Sequence, residues 1–204
     1  RGSGSLETTA DLDFRAAQAY PTTLSDYRLA VTGPGGVRFE SSGADRSVVL
    51  SAGGSLTVEA TNITQAGVVR APLGAIDLKA ADTLTLAPGS VTSTSLEAAD
   101  VLFGRIELGK DWVYLLDSVA AARARLVFTP QSNRAADVFP SARINLGGSS
   151  VEMLPGATVD LSGSGDLLAY EFRPGPKGSE DPLDSSGAFA VLPGLGSLFA
   201  PWDP

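Results

Sequence analysis

The side chains in this sequence best suited to chemistry are carboxylates. Asp77, Asp82, Asp100 and Asp160 each lie on or beside a short run of alternating apolar residues. Two carboxylates about 6.5–9.5 Å apart invert a glycosidic bond, one acting as acid and the other as base. On stacked strands that separation corresponds to residues one or two strands apart. Asp77 lies one repeat beyond Thr57, which is not acidic. Asp160 is the single carboxylate of its strand, beside Ser162, and Asp82 and Asp100 fall in or near corners. No stacked carboxylate set is expected, and all four read as solvated side chains or corner caps.

Other chemistries find less support. Serines are plentiful, but the chain has no histidine to activate one and no G-x-S-x-G elbow. A Ser–Lys pair would have to draw on Lys79, Lys110 or Lys177, and Lys110 in "GKDW" beside Asp111 reads as an exposed turn. Glu180, Asp181 and Asp184 in "SEDPLD" offer oxygen ligands that suit calcium, but their spacing matches neither an EF-hand nor an RTX repeat. An acidic surface loop is the simpler reading. "TGPGGV" (32–37) has glycines without the Lys-Ser/Thr that completes a phosphate loop, and reads as a turn. No catalytic, cofactor-binding or metal-ligating residue is therefore assigned. Exposed aromatics remain as a way to hold sugars. The candidates are Trp112, Tyr114, Tyr170, Phe172 and Trp202, with Tyr170 and Phe172 on one strand face as possible core and Trp112 in a segment where exposure is expected. No Arg-Gly-Asp tripeptide occurs.

Composition narrows the partners. The chain has 204 residues and a net charge of −8, which argues against nucleic acid and anionic membrane surfaces. It has no cysteine, hence no disulfide and no thiolate, which suits a protein that crosses an oxidising periplasm unfolded. No run reaches the roughly 18 apolar residues of a membrane-spanning helix. The opening "RGSGS" (1–5) reads as a vector-derived linker, leaving 6–204 as one domain.

The elements that must position these residues are short strands. Apolar residues alternate at Val48-Leu50, Leu56-Val58, Ile76-Leu78, Leu84-Leu86, Ile144-Leu146, Val151-Met153 and Val159-Leu161, each run bounded by Gly, Pro, Asn or Ser. The runs recur. "GSLTVEA" (54–60) is matched by "GAIDLKA" (74–80), "IDLKA" (76–80) by "INLGG" (144–148), and "LTLAPGSV" (84–91) by "VEMLPGAT" (151–158). The first match sets a period near 20. Such a period with tight corners predicts an all-β solenoid of parallel coils, in which no strand outlasts one face. The alternative is an antiparallel sandwich, which also has short strands. Coils are expected over 47–105 and 142–172, with a loop-rich excursion over 106–141 and a loop-rich tail over 173–204. Within the excursion, 117–128 has the Ala/Arg-rich composition of a short helix. The apolar stretch 189–204 is expected to pack along the side of the stack rather than add a regular strand, and to cover part of its raw edge.

Several phrases in one order add a resemblance. "YPTTLSDYRL" (20–29), "SAGGSLTVEATNITQAGVVRAPLGAIDLKA" (51–80), "LAPGSVTSTS" (86–95), "GATVDLSGSGDLLAYEFRPGPKGSED" (156–181) and "FAVLPGLGSLFAPWD" (189–203) together resemble an interior or late region of the filamentous haemagglutinin family of Gram-negative exoproteins. The resemblance spans essentially all of 6–204, and "SGSGD" (162–166) departs from it where a more Gly-rich run is expected. It implies a right-handed parallel β-helix, export through an outer-membrane transporter by two-partner secretion, and a place at the cell surface or outside the cell. It implies a structural and adhesive role in attachment, aggregation or biofilm formation, toward host or bacterial glycans or proteins. A polysaccharide lyase or hydrolase on the same scaffold, and a passive spacer in a contact-dependent toxin-delivery protein, are the alternatives.

Overall fold

The computed structural model describes residues 2–107, 111–115, 125–128 and 141–171. The protein is all-β, and among these residues every regular element is a strand. In chain order they are β1 (Ser3–Thr8), β2 (Leu12–Ala16), β3 (Asp26–Val31), β4 (Gly36–Ser41), β5 (Ser55–Ala66), β6 (Val68–Arg70), β7 (Ala75–Leu86), β8 (Val91–Ser93), β9 (Asp100–Glu107), β10 (Asp111–Leu115), β11 (Arg125–Phe128), β12 (Arg143–Gly147), β13 (Ser150–Met153), β14 (Thr158–Asp160) and β15 (Asp166–Glu171). Ser3–Ser5, read above as linker, lie within β1 and pair with Asp26–Arg28.

Eight strands form one sheet in which every pairing is parallel. Strands β6, β8 and β14 form a second parallel sheet. A third sheet, in the order β11-β10-β9-β15, mixes an antiparallel meander with the parallel pair β9–β15. Parallel pairing excludes the antiparallel sandwich, because consecutive strands of a sandwich return by hairpins.

The sequence repeats reappear as hydrogen-bond registers. Leu56 pairs with Ile76 and Val58 with Leu78, one repeat on. Ile76 pairs with Ile144, and Leu84 with Val151. The second of these spacings is one shorter than the first, because β7 holds one residue more than its neighbours around Ala81-Asp82. The β5–β7 register slips at the same place, between Ala60 and Asn62. Like residues then lie over like: Leu6, Leu29, Val58, Leu78 and Leu146 make one column, and Leu12, Val37, Ile63, Leu84 and Val151 another. A third column runs Phe14, Phe39, Gln65, Leu86, Met153, with the Phe14 and Phe39 rings stacked at 5.2 Å. These columns supply most of the main core. Each fully buried leucine in them contributes about 2 kcal/mol of burial.

Three further sequence expectations need correction. Strands do outlast one face: β5 and β7 are 12 residues each. In β5 the buried positions run Leu56, Val58, Ala60 and then Ile63, Gln65, with Thr61 and Asn62 side by side outside. That one-residue slip in phase turns the ribbon while keeping its apolar side inward, so no turn residue is needed. The helix over 117–128 is also not formed where it is described, since Arg125–Phe128 is strand β11, paired with β10. Its β-branched and aromatic residues favour a ladder over the Ala/Arg propensity upstream. Val48-Leu50 lies outside any strand, although Val49 is buried. The expectations for 129–140 and 173–204 lie outside the described residues.

Corners stack as well. Pro88-Gly89 and Pro155-Gly156 make equivalent turns, with the Ser90 amide bonded to the Ala87 carbonyl and the Ala157 amide to the Leu154 carbonyl. Gly89 and Gly156 take φ of 76° and 90°, as the third residue of such a turn requires. Leu24 and Leu73 take φ of 53° and 52°, a strained choice for leucine. Their side chains explain it. Both reach a second core made of Leu24, Ala52, Leu96, Val101 and Phe103, against which Leu73, Trp112, Tyr114 and Leu167 pack. The meander of β9 and β10 is thereby held to the corners of the stack.

Candidate binding surface

The outward side of the large sheet carries charge. Arg28 on β3 reaches Glu59 on β5 at 2.6 Å and Glu7 on β1 at 3.4 Å, and Lys79 on β7 reaches Glu59 at 3.1 Å. The network ties four strands together. The Arg28 guanidinium, with Lys79, holds the Glu59 carboxyl below its ordinary range, and the same pairing raises Arg28. A depressed folded-state pKa stabilises above the unfolded value and is lost as pH falls through the folded one. The thermal midpoint is therefore expected to fall on acidification below about pH 4.5. Glu59→Gln is expected to flatten that part of the curve, as measured by melting across pH at low salt. An unchanged acid limb would show that the network does not contribute.

Lys79, a candidate for a Ser–Lys pair, is thus engaged by Glu59. Asp77, beside it on β7, is not the solvated or corner side chain expected: it is buried within the strand and accepts hydrogen bonds from Arg143, at 3.0 Å, and from Asn145. Its register partners are Thr57 and Asn145, so no second carboxylate stacks on it.

A second polar region follows β6, β8 and β14. The Arg70 guanidinium is almost fully enclosed, bonded to the Ser95 carbonyl at 2.9 Å and paired with Glu97 at 2.9 Å. Burial lowers its pKa, and Glu97 and Asp160 oppose that. Asp160 accepts from the Ser162 amide at 2.9 Å and the Ser93 hydroxyl at 3.1 Å, bonds that hold its carboxyl below the ordinary range. The Ser95 hydroxyl meets those of Ser162 and Ser164 at 3.3 and 3.0 Å. Of the two readings left open for Asp160, a solvated face or a corner cap, these bonds match the cap, and Ser162 and Ser164 of "SGSGD" (162–166) lie against Ser95 there. Beside Glu97, an open groove of about 480 Å³ is lined by Asp45, Arg46, Ser47 and Val48. Sequence reasoning did not single out this groove, because Glu97 is far along the chain from the segment that forms the rest of its lining.

The aromatic candidates are placed differently from expectation. Trp112 is half-buried, donates its indole N–H to the Phe103 carbonyl and packs edge-on against the Phe103 ring. Tyr114 stacks on Phe103 at 4.3 Å. Both belong to the second core, because β10 folds back on β9 and carries them onto Phe103. Tyr170 is half-buried on β15. Phe172, Trp202, Lys110, Lys177, Glu180, Asp181 and Asp184 lie outside the described residues.

One carboxylate juxtaposition was missed. Asp100 and Asp166 are register partners on β9 and β15, and both are exposed. The only clue would have been a weak echo between "DVLFGR" and "DLLAYE". Asp82 is exposed at the β7 irregularity. Among the described residues no group of three or more metal-ligating side chains converges. Comparison with family models, with curated proteins and with solved structures found no match.

Proposed function

We propose that this chain is a right-handed parallel β-helical segment of a large secreted exoprotein resembling the filamentous haemagglutinins. In that reading it serves structure and adhesion at the bacterial surface, exported by an outer-membrane transporter. One observation carries the reading. The chain repeats its register until a single column runs from Leu6 through Leu29, Val58 and Leu78 to Leu146. Such a stack gains stability by nearest-neighbour addition, so it lengthens without a larger core. A long rigid body that presents flat, ion-paired faces is what attachment at a distance needs. The charged face across β1, β3, β5 and β7, and the groove at Arg46, are the surfaces on which glycans would be held.

The test is a panel of host and bacterial polysaccharides passed over the immobilised chain and scored for both retention and product release. Retention without cleavage is expected. Arg46→Ala, at the groove, is expected to weaken retention about fivefold, the equivalent of about 1 kcal/mol. New reducing ends or unsaturated products would replace this reading with an enzyme. Neither signal would reduce the segment to a spacer.

A further inference from the structure

We propose that Phe189–Gly194 of this chain docks in register on the open end of the stack, as the next strand and corner beyond β13. At that end Val151 and Met153 are the register partners of Leu84 and Leu86. The inner pair is fully buried, yet Val151 is 45% and Met153 56% exposed, and Leu154 beside them, Leu161 after β14 and Leu168 on β15 are exposed too. These are interior positions of a column with nothing described beyond them.

The occupant is written in the sequence. "LTLAPG" (84–89) is β7 with its corner, and "VEMLPG" (151–156) is β13 with its corner. "FAVLPG" (189–194) repeats the pattern a third time. Phe189 then falls on Val151, Val191 on Met153, and Pro193-Gly194 on Pro155-Gly156. The two described corners already join in this way, with the Gly89 amide bonded to the Gly156 carbonyl at 2.9 Å. Phe189 and Val191 extend two apolar columns, while Ala190 falls over Glu152 on the outside. No charged residue occurs from 185 to 202, as befits a segment laid over an apolar surface. The connection from Glu171 to Phe189 is longer than the one from Ala66 to Ala75 that carries the chain from β5 to β7, so length does not forbid the return. Nothing in this inference depends on what the chain binds.

Two probes in the 204-residue chain test it, and its composition keeps both clean. Met153 is the only methionine, so its oxidation by hydrogen peroxide is read directly as a mass increase. In the native chain it is expected to oxidise at least about tenfold more slowly than in Val191→Asp, with circular dichroism unchanged between the two. The chain also lacks cysteine, so a designed pair is unambiguous. Val151→Cys with Phe189→Cys is expected to close an intramolecular disulfide, since adjacent strands bring Cα atoms within the range of about 4.4–6.8 Å that a disulfide spans. Val151→Cys with Ala190→Cys, whose side chain points to the other face, is not. Equal oxidation rates in native chain and Val191→Asp would overturn the proposal. So would a cross-link that forms only between chains, which would give the end face to a second copy.

Discussion

Gly74→Ala is expected to destabilise the protein by roughly 4 kcal/mol and to lower its thermal midpoint by on the order of 10 °C. Gly74 sits between the Leu73 corner and the start of β7. A Cβ there would lie 1.8 Å from the carbonyl oxygen of Gly54 on the neighbouring layer. That oxygen is committed, since it accepts from the Ala75 amide at 3.1 Å. Neither atom belongs to a side chain that could rotate away, so relief requires the two layers to separate and the ladder to loosen. Gly54 is similarly pressed, its Cβ position 2.6 Å from the Thr22 carbonyl oxygen, so the strain has no free direction in which to pass. Gly89→Ala is the control. Nothing lies within 4 Å of its Cβ position, but its φ is 76°. Its cost should be only the left-handed penalty of about 1 kcal/mol. Thermal unfolding of the two variants separates lack of space from backbone conformation. Equal shifts would mean that the layers give way more readily than their spacing implies.

Phe103→Ala is expected to cost about 4 kcal/mol, and to do so unevenly across the molecule. Phe103 is fully buried and is the residue on which the second core is built. It stacks with Tyr114, meets Trp112 edge-on, and shares its cluster with Leu24 and Leu96 from the stack. Truncation leaves a void at the seam between the β9–β10 meander and the corners. Hydrogen exchange should therefore lose protection first at the β10 amides, with those of β5 and β7 little changed. Loss of protection spread evenly over all strands would show that meander and stack unfold as one unit. The strained φ at Leu24 and Leu73 points the same way as the prediction. Those corners accept an unfavourable backbone so that their side chains reach this core, and without Phe103 the strain has less to offset it.

Much of the fold was legible because a parallel stack writes its register into the chain. Leu56 and Ile76, Ile76 and Ile144, and Leu84 and Val151 were paired by repeat spacing, and the hydrogen bonds fall on those pairs. The cause is physical: identical positions on successive layers face identical surroundings, so similar residues recur. The earlier pairings were hidden. The interval from Asp26 to its partner Ser55 is longer than that from Ser3 to Asp26, and both exceed the interval from Ser55 to Ala75, so no constant period links them. The bend inside β5 was invisible for a related reason. Thr61-Asn62 turns the ribbon by a slip in phase, which no Gly or Pro announces.

The surface was less legible than the stack. Asp77 was named, but its partners Arg143 and Asn145 lie far along the chain, and only the register brings them to it. Trp112 looked like an exposed sugar platform because its segment lacks the repeat. The tertiary structure folds β10 back on β9 and places the indole against Phe103. From the sequence alone came the all-β class, the in-register stacking of the later strands, and the pairing of Leu56 with Ile76, Ile76 with Ile144 and Leu84 with Val151. Those properties follow from alternation and repetition, which act locally and are copied from layer to layer. Which charges meet, where the meander docks, and that Met153 stands last among the described residues of its column came from the tertiary structure. Those depend on chain segments that share no pattern and come together only once the layers are stacked.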